Sequence, residues 1–522
     1  MKKTHPYLPF AVSALLLWLV VCALYGWCQY AIDPDGTAYL TISARYASGD
    51  YLKAINGYWS PWGCWLTAGL MRAGCAAIPA SLIINTIGAT GYAGISQSLF
   101  LKFNMPRQLQ WALHVALAVF LCSAVYWQSF DDIWECFFLL AALRIFLASG
   151  FIKSPALWVA AGITGALAYF SKAYAFPFFI TGSACTIWLL SGKDRRLAVK
   201  AGAVTLLTFF ICATPWLALL HYKYGIWTTA TAGQLNMSWY LAGHPYYKSG
   251  IDLLIPAHYT DSPYYWEDPW YANGDTPHFW DSLHLAGLQA LRLGLNAGKL
   301  ALSLVQLSFF LPLAAWAAIL WFKKQGGEPA VSGRMRVIAL HLVLFPLGYA
   351  LINYEARYLW YLVPLSMIAL AETGVFKSRM VKNALPLSVL LAISYMIYPV
   401  YCIIKMKDEG KAEYRLAQEL KKAGVHGSFT ANAHPKYMAR LAYFSGDQYY
   451  YLSDRAAGDS AILNEMKKYH IAHYYRFGEK TVNGEKNKRK DGAQPPVPVL
   501  FSLKTYIVSS QPAVTVYELY GN

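Results

Sequence analysis

Uncharged runs of helical length, separated by short basic patches, dominate this chain. After Lys3 no Asp, Glu, Lys or Arg occurs until Asp33. Similar windows recur downstream, each long enough to cross about 30 Å of hydrocarbon as a helix of about 20 residues. Backbone groups inside lipid must be satisfied within their own segment, so these windows are read as helices rather than loops. The pattern predicts spans near residues 6–28, 79–100, 111–128, 133–150, 155–172, 175–191, 199–220, 299–322, 335–353, 358–375 and 384–404, about eleven in all. The first has no small-residue cleavage site followed by a soluble stretch, so it is expected to stay as a span.

Charge placement tests this layout, because short loops rich in Lys and Arg stay in the cytoplasm. Lys2 and Lys3, Lys102 with Arg107, Lys153, SGKDRRLAVK (191–200), Lys323 and Lys324 with Arg334 and Arg336, and FKSRMVKN (376–383) all fall on one side. The N-terminus is therefore expected in the cytoplasm. The opposite, extracytoplasmic side holds a loop of about residues 29–78, another of about 221–297, and everything after Lys405. Loops of that length in a compact protein usually carry function.

Composition agrees. The 522 residues are 57% hydrophobic and 14% charged, with 19 Trp and 39 Tyr, which excludes an ordinary soluble enzyme. The formal charge of +16 follows from the basic loops and a basic stretch in the tail, so no nucleic-acid partner is expected. The nine cysteines lie in or near the membrane part, without CxxC or zinc-type spacing. They are expected to pack as thiols, Cys64 and Cys75 being the one pair a bridge could join.

The layout divides into a membrane domain, 1–404, and a small extracytoplasmic α/β domain, 405–522. In the tail, EYRLAQELKKAGV (413–425) and HPKYMARLAYFSG (434–446) have helical spacing, whereas SFTAN, HIAHYYRF and AVTVYELY read as strands. EKTVNGEKNKRKDGAQPPVP (479–498) reads as a flexible loop. There is no P-loop and no dinucleotide-binding glycine pattern.

AIDPDGTAYL (31–40) places two carboxylates just past the first span. Asp33 suits a helix N-cap with Pro34 at the first helical position. Asp35 is left over, one turn before Tyr39, on a helix whose Tyr39, Ile42 and Tyr46 form an apolar face suited to lying on the membrane surface. Such a carboxylate is either a solvated surface group or a general base. Oxygen ligands are plentiful enough for a divalent cation, but no spacing identifies a metal site, and no cofactor is required.

The stretch DPDGTAYLTISARYASGDYLKAINGYWSPWGCWLTAGL resembles the first extracytoplasmic loop of the GT-C membrane glycosyltransferases. The likeness is to the protein-mannosyltransferase/aminoarabinose-transferase-like superfamily (glycosyltransferase 39, RgtA/B/C/D-like). Asp35, Tyr39-Leu40, Gly49-Asp50-Tyr51 and Tyr58-Trp59-Ser60-Pro61 supply that pattern. FDDIWECF, TPWLALLHYKYG and NYEARYLWYLVP follow in order downstream. Where the family has Asp-Glu, this chain has Asp35-Gly36.

The resemblance implies a polytopic all-α GT-C membrane domain. It also implies sugar transfer from a polyprenyl-phosphate donor to an acceptor hydroxyl on a glycan, lipid or protein, at the outer face of a bacterial inner membrane. A lipid-linked donor presents its phosphosugar at the interface, and Asp35 is expected at that depth as the base of an inverting single displacement. The leaving phosphate needs neutralisation more than an acid, so cations should gather there. Candidates are Lys172, Arg357 and Arg45, with Lys53 nearby; Lys172 runs against the basic-inside trend. Asp131, Asp132, Tyr39, Tyr58, Trp59 and Glu355 are candidate substrate-binding residues. Asp131 and Asp132 could instead cap a helix starting at Ile133, and Glu355 could pair with Arg357. The aromatic stretches NMSWYLAGHPYY and DSPYYWEDPWYANGDTPHFW suit an acceptor-side cover or an interfacial belt. Two other classes remain: a transporter or flippase of lipid-linked sugars, which would place ionisable residues at mid-membrane, and a non-catalytic membrane assembly subunit.

Overall fold

In the computed structural model, residues 5–127, 130–192, 194–243, 253–272, 276–314, 316, 329–372, 384–453, 458–477, 505–510 and 513–518 are described. Among them six helical runs are long and apolar enough to cross a bilayer: Leu8–Cys28, Ala77–Lys102, Arg107–Tyr126, Arg195–Tyr224, Gly333–Leu351 and Leu385–Lys422. Shorter apolar helices are Pro155–Ser171, Ala175–Leu190 and Leu362–Ala371, and Phe130–Phe146 packs among them. The protein is a multi-pass membrane protein. Its helices do not share the lipid equally: 72% of the apolar window of Arg107–Tyr126 is buried in protein against 22% for Leu8–Cys28. The former is a hub of the bundle and the latter an outer stave. Close crossings depend on small residues. A Cβ at Gly162 would sit 2.5 Å from the Thr205 carbonyl oxygen, so the helix Pro155–Ser171 can rest on the backbone of Arg195–Tyr224 only with glycine there.

The predicted spans each contain a helix, with two departures. The span expected at 299–322 holds helical residues at 311–314 and 316, with 317–322 outside the described residues, but the helix that enters it, Leu283–Leu307, starts 16 residues earlier. Its exposed face is leucine (Leu283, Leu291, Leu295, Leu302), while Gln289, Arg292, Asn296, Lys299 and Ser303 recur at helical spacing on the opposite stripe. That polar stripe lowers the mean hydropathy and hides the first half of the helix. The run expected at 384–404 is broken into Ala384–Ser394 and Ile397–Met406. Lys2, Lys3, Lys323, Lys324, FKSRMVKN and the stretch 479–498 lie outside the described residues.

At one end of the bundle the connecting segments and the tail form a layered cap. The tail holds a five-stranded sheet in the order β3-β2-β5-β7-β6, with β2 Ser428–Ala431, β3 Gln448–Tyr449, β5 His473–Phe477, β6 Thr505–Ser510 and β7 Ala513–Glu518. β2 runs parallel to β3 and β5, and β7 antiparallel to β5 and β6. The long loop joins this cap through β1 (Leu254–Ile255), which pairs antiparallel with β4 (Tyr451–Leu452).

The apolar face of the helix Pro34–Ser48 is buried against protein inside the cap. Tyr39, Ile42 and Tyr46 are 4%, 1% and 8% exposed, in one apolar cluster with Cys64 and Ala68 of the helix Pro61–Arg72 and with Met438 and Leu441 of the tail helix Pro435–Ser445. The apolar stripe was legible; its partner was protein, because the tail supplies a complementary apolar face that the local sequence cannot reveal.

Candidate functional site

Local chemistry fixes where Asp35 stands. Asp33 caps the helix Pro34–Ser48, its Oδ1 accepting from the Gly36 amide at 2.7 Å, and Pro34 takes the first helical position. Gly49 ends the helix with φ 89°, a left-handed conformation glycine adopts without a Cβ penalty. Asp35 is thereby held in the first helical turn. Trp266 Nε1 donates to its Oδ1 at 3.0 Å and Arg357 Nη2 to its Oδ2 at 3.0 Å. Its side chain keeps 21% exposure. Burial, then the nearby Asp35 charge, pushes the Asp33 carboxyl up to about 7.

Arg357 comes from the short turn Ala356–Leu359, which follows an extended Glu355. Its Nε donates to Glu355 at 2.8 Å, and its Nη1 lies 3.9 Å from Asp132. Burial alone would lower the Arg357 pKa; Glu355, then Tyr358, Asp35 and Asp132, raise it above its ordinary value, so it stays charged. Lys172, at the end of the helix Pro155–Ser171, binds Asp132 and lies 4.3 Å from the centre of the Tyr358 ring. Asp131 accepts from the Tyr39 hydroxyl. The helix begins at Phe130, so both aspartates sit within its first turn rather than capping a start at Ile133. Four segments far apart in sequence thus bring Asp35, Asp132, Lys172, Glu355 and Arg357 together.

Arg357 also lines a cavity of about 340 Å³. Lys299, Gln306, Glu355 and Arg357 supply its polar wall, and Phe120, Leu302, Trp360 and Tyr398 are among its apolar lining. Lys299 donates to Asn353 Oδ1 at 2.5 Å and faces the Tyr240 ring at 5.9 Å. Among the described residues it has no carboxylate within ion-pair reach.

The remaining candidates stand elsewhere in the cap. Arg45, 6% exposed, is about 15 Å further along the helix axis from Asp35 at 1.5 Å per residue. It binds Glu267, Asp261 (3.0 and 3.2 Å) and Ser262 (3.0 Å). The Arg45 hydrogen bond holds Asp261 down at about 2, and burial raises Glu267. Lys53 joins Asp261 at 2.9 Å. Tyr58 and Trp59 follow an Asn56 whose Oδ1 takes both their amides. The Tyr58 hydroxyl donates to Asn236, and Trp59 Nε1 donates to the Trp266 carbonyl. Tyr58, Trp239 and Trp266 form an aromatic group, with ring centres 5.3 to 6.0 Å apart, beside Asp35.

Three residues of this region were not singled out from sequence. Trp266 lay inside a quoted aromatic stretch with nothing to mark it from its neighbours. Glu135 is 1% exposed with Oε1 unpartnered among the described residues, as is Asp131 Oδ1; its spacing of one turn after Asp131 was the available signal. Lys299 interrupts an apolar run, a second usable signal. Among the described residues no group of three or more His, Cys, Asp or Glu could hold a metal ion. Asp35 and Asp132 are each already met by a side-chain cation, Arg357 and Lys172. All nine cysteines are free thiols, Cys64 and Cys75 included.

No family model matches the chain, and no curated protein matches it in sequence. Solved structures match in fold. ArnT from Cupriavidus metallidurans in the apo state superposes with a TM-score of 0.54 at 13% identity, covering 97% of this chain and 96% of that one. The same protein bound to undecaprenyl phosphate gives 0.53 at 12% identity, covering 97% of both chains. The Archaeoglobus fulgidus oligosaccharyltransferase, in complex with Zn and sulfate, gives 0.51 at 13% identity, covering 90% of this chain and 68% of that one. The chain has the GT-C fold: an apolar helical membrane part with a strand-containing C-terminal domain.

Proposed function

We propose that this protein is a glycosyltransferase of a bacterial inner membrane, with its cap outside the cytoplasm. It moves a sugar from a polyprenyl-phosphate donor to an acceptor hydroxyl. The observation that carries the reading is the pairing of Asp35 with Arg357, because that arginine also lines an amphiphilic cavity containing a second cation, Lys299. An apolar wall with cations at one end suits a lipid phosphate, and a fold neighbour is described as bound to undecaprenyl phosphate.

In the proposed reaction the donor phosphate meets Arg357 and Lys299. Asp35 takes the proton of the acceptor hydroxyl as that oxygen bonds to the anomeric carbon. The bond from this carbon to the phosphate oxygen breaks, its electron pair leaves with the phosphate, and the configuration inverts. The two cations stabilise the charge that grows on the leaving group. Lys172 holds Asp132 against Arg357, fixing the guanidinium between base and cavity. Tyr58, Trp239 and Trp266 offer aromatic faces to the acceptor side, with Tyr39, Trp59, Asp131 and Glu355 supporting the walls. Arg45 is left out of donor binding because loop carboxylates consume its charge.

Native mass spectrometry of the full-length protein in detergent tests the donor site with undecaprenyl phosphate. Wild type is expected to retain the lipid, and Lys299→Met and Arg357→Gln to lose it. Equal retention by all three proteins would contradict the assignment.

A further inference from the structure

The cap grips the backbone that leads into Asp35 at several points. The Asp408 amide donates to the Trp27 carbonyl at 2.8 Å. Gly410, at φ 80°, runs so close to the Tyr30 carbonyl that a Cβ would fall 1.9 Å from its oxygen, which excludes any side chain there. Tyr414 stacks on Tyr30 with ring centres 4.3 Å apart. Arg440, 1% exposed, donates Nε to the Ile32 carbonyl at 2.6 Å, and spends its other nitrogens on Glu413 (2.8 Å) and Glu409 (3.0 Å). Lys436 braces Glu409 at 2.6 Å.

Ile32 directly precedes the capping Asp33, three residues before Asp35. A buried guanidinium whose two terminal nitrogens are each held by a carboxylate has little freedom to follow a shifting carbonyl, so the carbonyl is set by the arginine. The tail thus fixes the point from which the Asp35 helix starts, and the Asp35 side chain inherits that position.

We propose that Arg440 is a positioning residue: it acts through the Ile32 carbonyl to hold Asp35 against Arg357, giving the C-terminal domain a role in transfer without contact to substrate. This rests on the reading of Asp35 as the base, and the test separates the two. Hydrogen exchange of the full-length protein, read by mass spectrometry, needs no substrate. Arg440→Met is expected to raise exchange in residues 30–40 while the spans keep their protection. In an assay with a panel of undecaprenyl-phosphate sugars, kcat is expected to fall by about 10²-fold, the cost of displacing a reacting group by about 1 Å, with donor KM within about two-fold. Arg440→Lys, which keeps the charge and one donor, is expected to recover part of kcat. If Arg440→Met does not accumulate, Tyr414→Leu gives the same local exchange signature from the stacking contact alone. Unchanged exchange at 30–40, or a rise spread over 408–477 with none at 30–40, overturns the positioning role. Full transfer by Asp35→Asn with the local exchange coupling intact overturns only the base.

Discussion

Arg45 and Arg357 invite comparison, because one stands on the helix that carries Asp35, the other pairs with Asp35 itself, and both were candidates for the donor phosphate. Arg45 is closed off: Glu267, Asp261 and Ser262 take its donors, and one of those carboxylates is itself buried. Its cluster ties the loop 253–272 to the Asp35 helix. Arg357 is also paired, but its partners are Asp35, Asp132 and Glu355, and it forms part of a cavity wall with Lys299. One cation stitches segments together; the other lines a cavity beside a second cation. Residue type does not separate these roles. What separates them is whether the cation's neighbourhood ends in protein or in open space.

That contrast can be broken experimentally, beginning where the largest effect is expected. Asp35→Asn keeps the shape and removes the proposed base, so turnover is expected to fall by about 10²- to 10⁴-fold, the usual contribution of such a group. Arg357→Gln is expected to lower turnover by about 10²- to 10³-fold, the range seen when one preorganised donor to developing charge is lost. Lys299→Met is expected to weaken undecaprenyl phosphate binding by about ten-fold or more, matching the loss of one hydrogen bond to a charged group, about 1.5–3 kcal/mol. Its effect on turnover at saturating donor should be smaller than that of Arg357→Gln. Arg45→Met is expected to leave lipid binding unchanged and to lower the melting temperature, since it abandons buried Glu267 without its partner. A loss of lipid binding in Arg45→Met with no change in melting would reverse the assignment of the two arginines.

The smallest effect concerns pH. Asp33 holds its proton to about 7 in the folded protein against an ordinary 3.8. Between those values the folded state binds more protons than the unfolded one, so stability falls as pH rises from about 4 to about 7 and levels off above that. Asp33→Asn retains a good cap and is expected to flatten this slope in thermal melts. A slope unaltered by the substitution would remove Asp33 as its source.

Much of the fold was readable because a lipid solvent imposes simple rules. The runs at 6–28, 111–128 and 199–220 are predominantly apolar, and their helices stand where the pattern puts them. The first half of the helix Leu283–Leu307 was missed because Gln289, Arg292 and Asn296 interrupt its apolar face. The cap on Pro34–Ser48 was readable from Asp33-Pro34 alone, since capping is local chemistry. The burial of Tyr39 and Tyr46 was not, because it depends on residues near 440. The same division runs through the site. Asp35, Lys172 and Arg357 were singled out as candidates from their own segments and stand together in the structure, whereas Trp266 gains meaning only from the Asp35 that the fold places beside it.

Measuring sugar transfer by purified Asp35→Asn protein beside wild type, with a panel of undecaprenyl-phosphate sugars, tests the central claim most directly. The expected result is transfer reduced by at least about 10²-fold, with undecaprenyl phosphate retained as by wild type in native mass spectra. Transfer by the variant at the wild-type rate would contradict the assignment of Asp35 as the base.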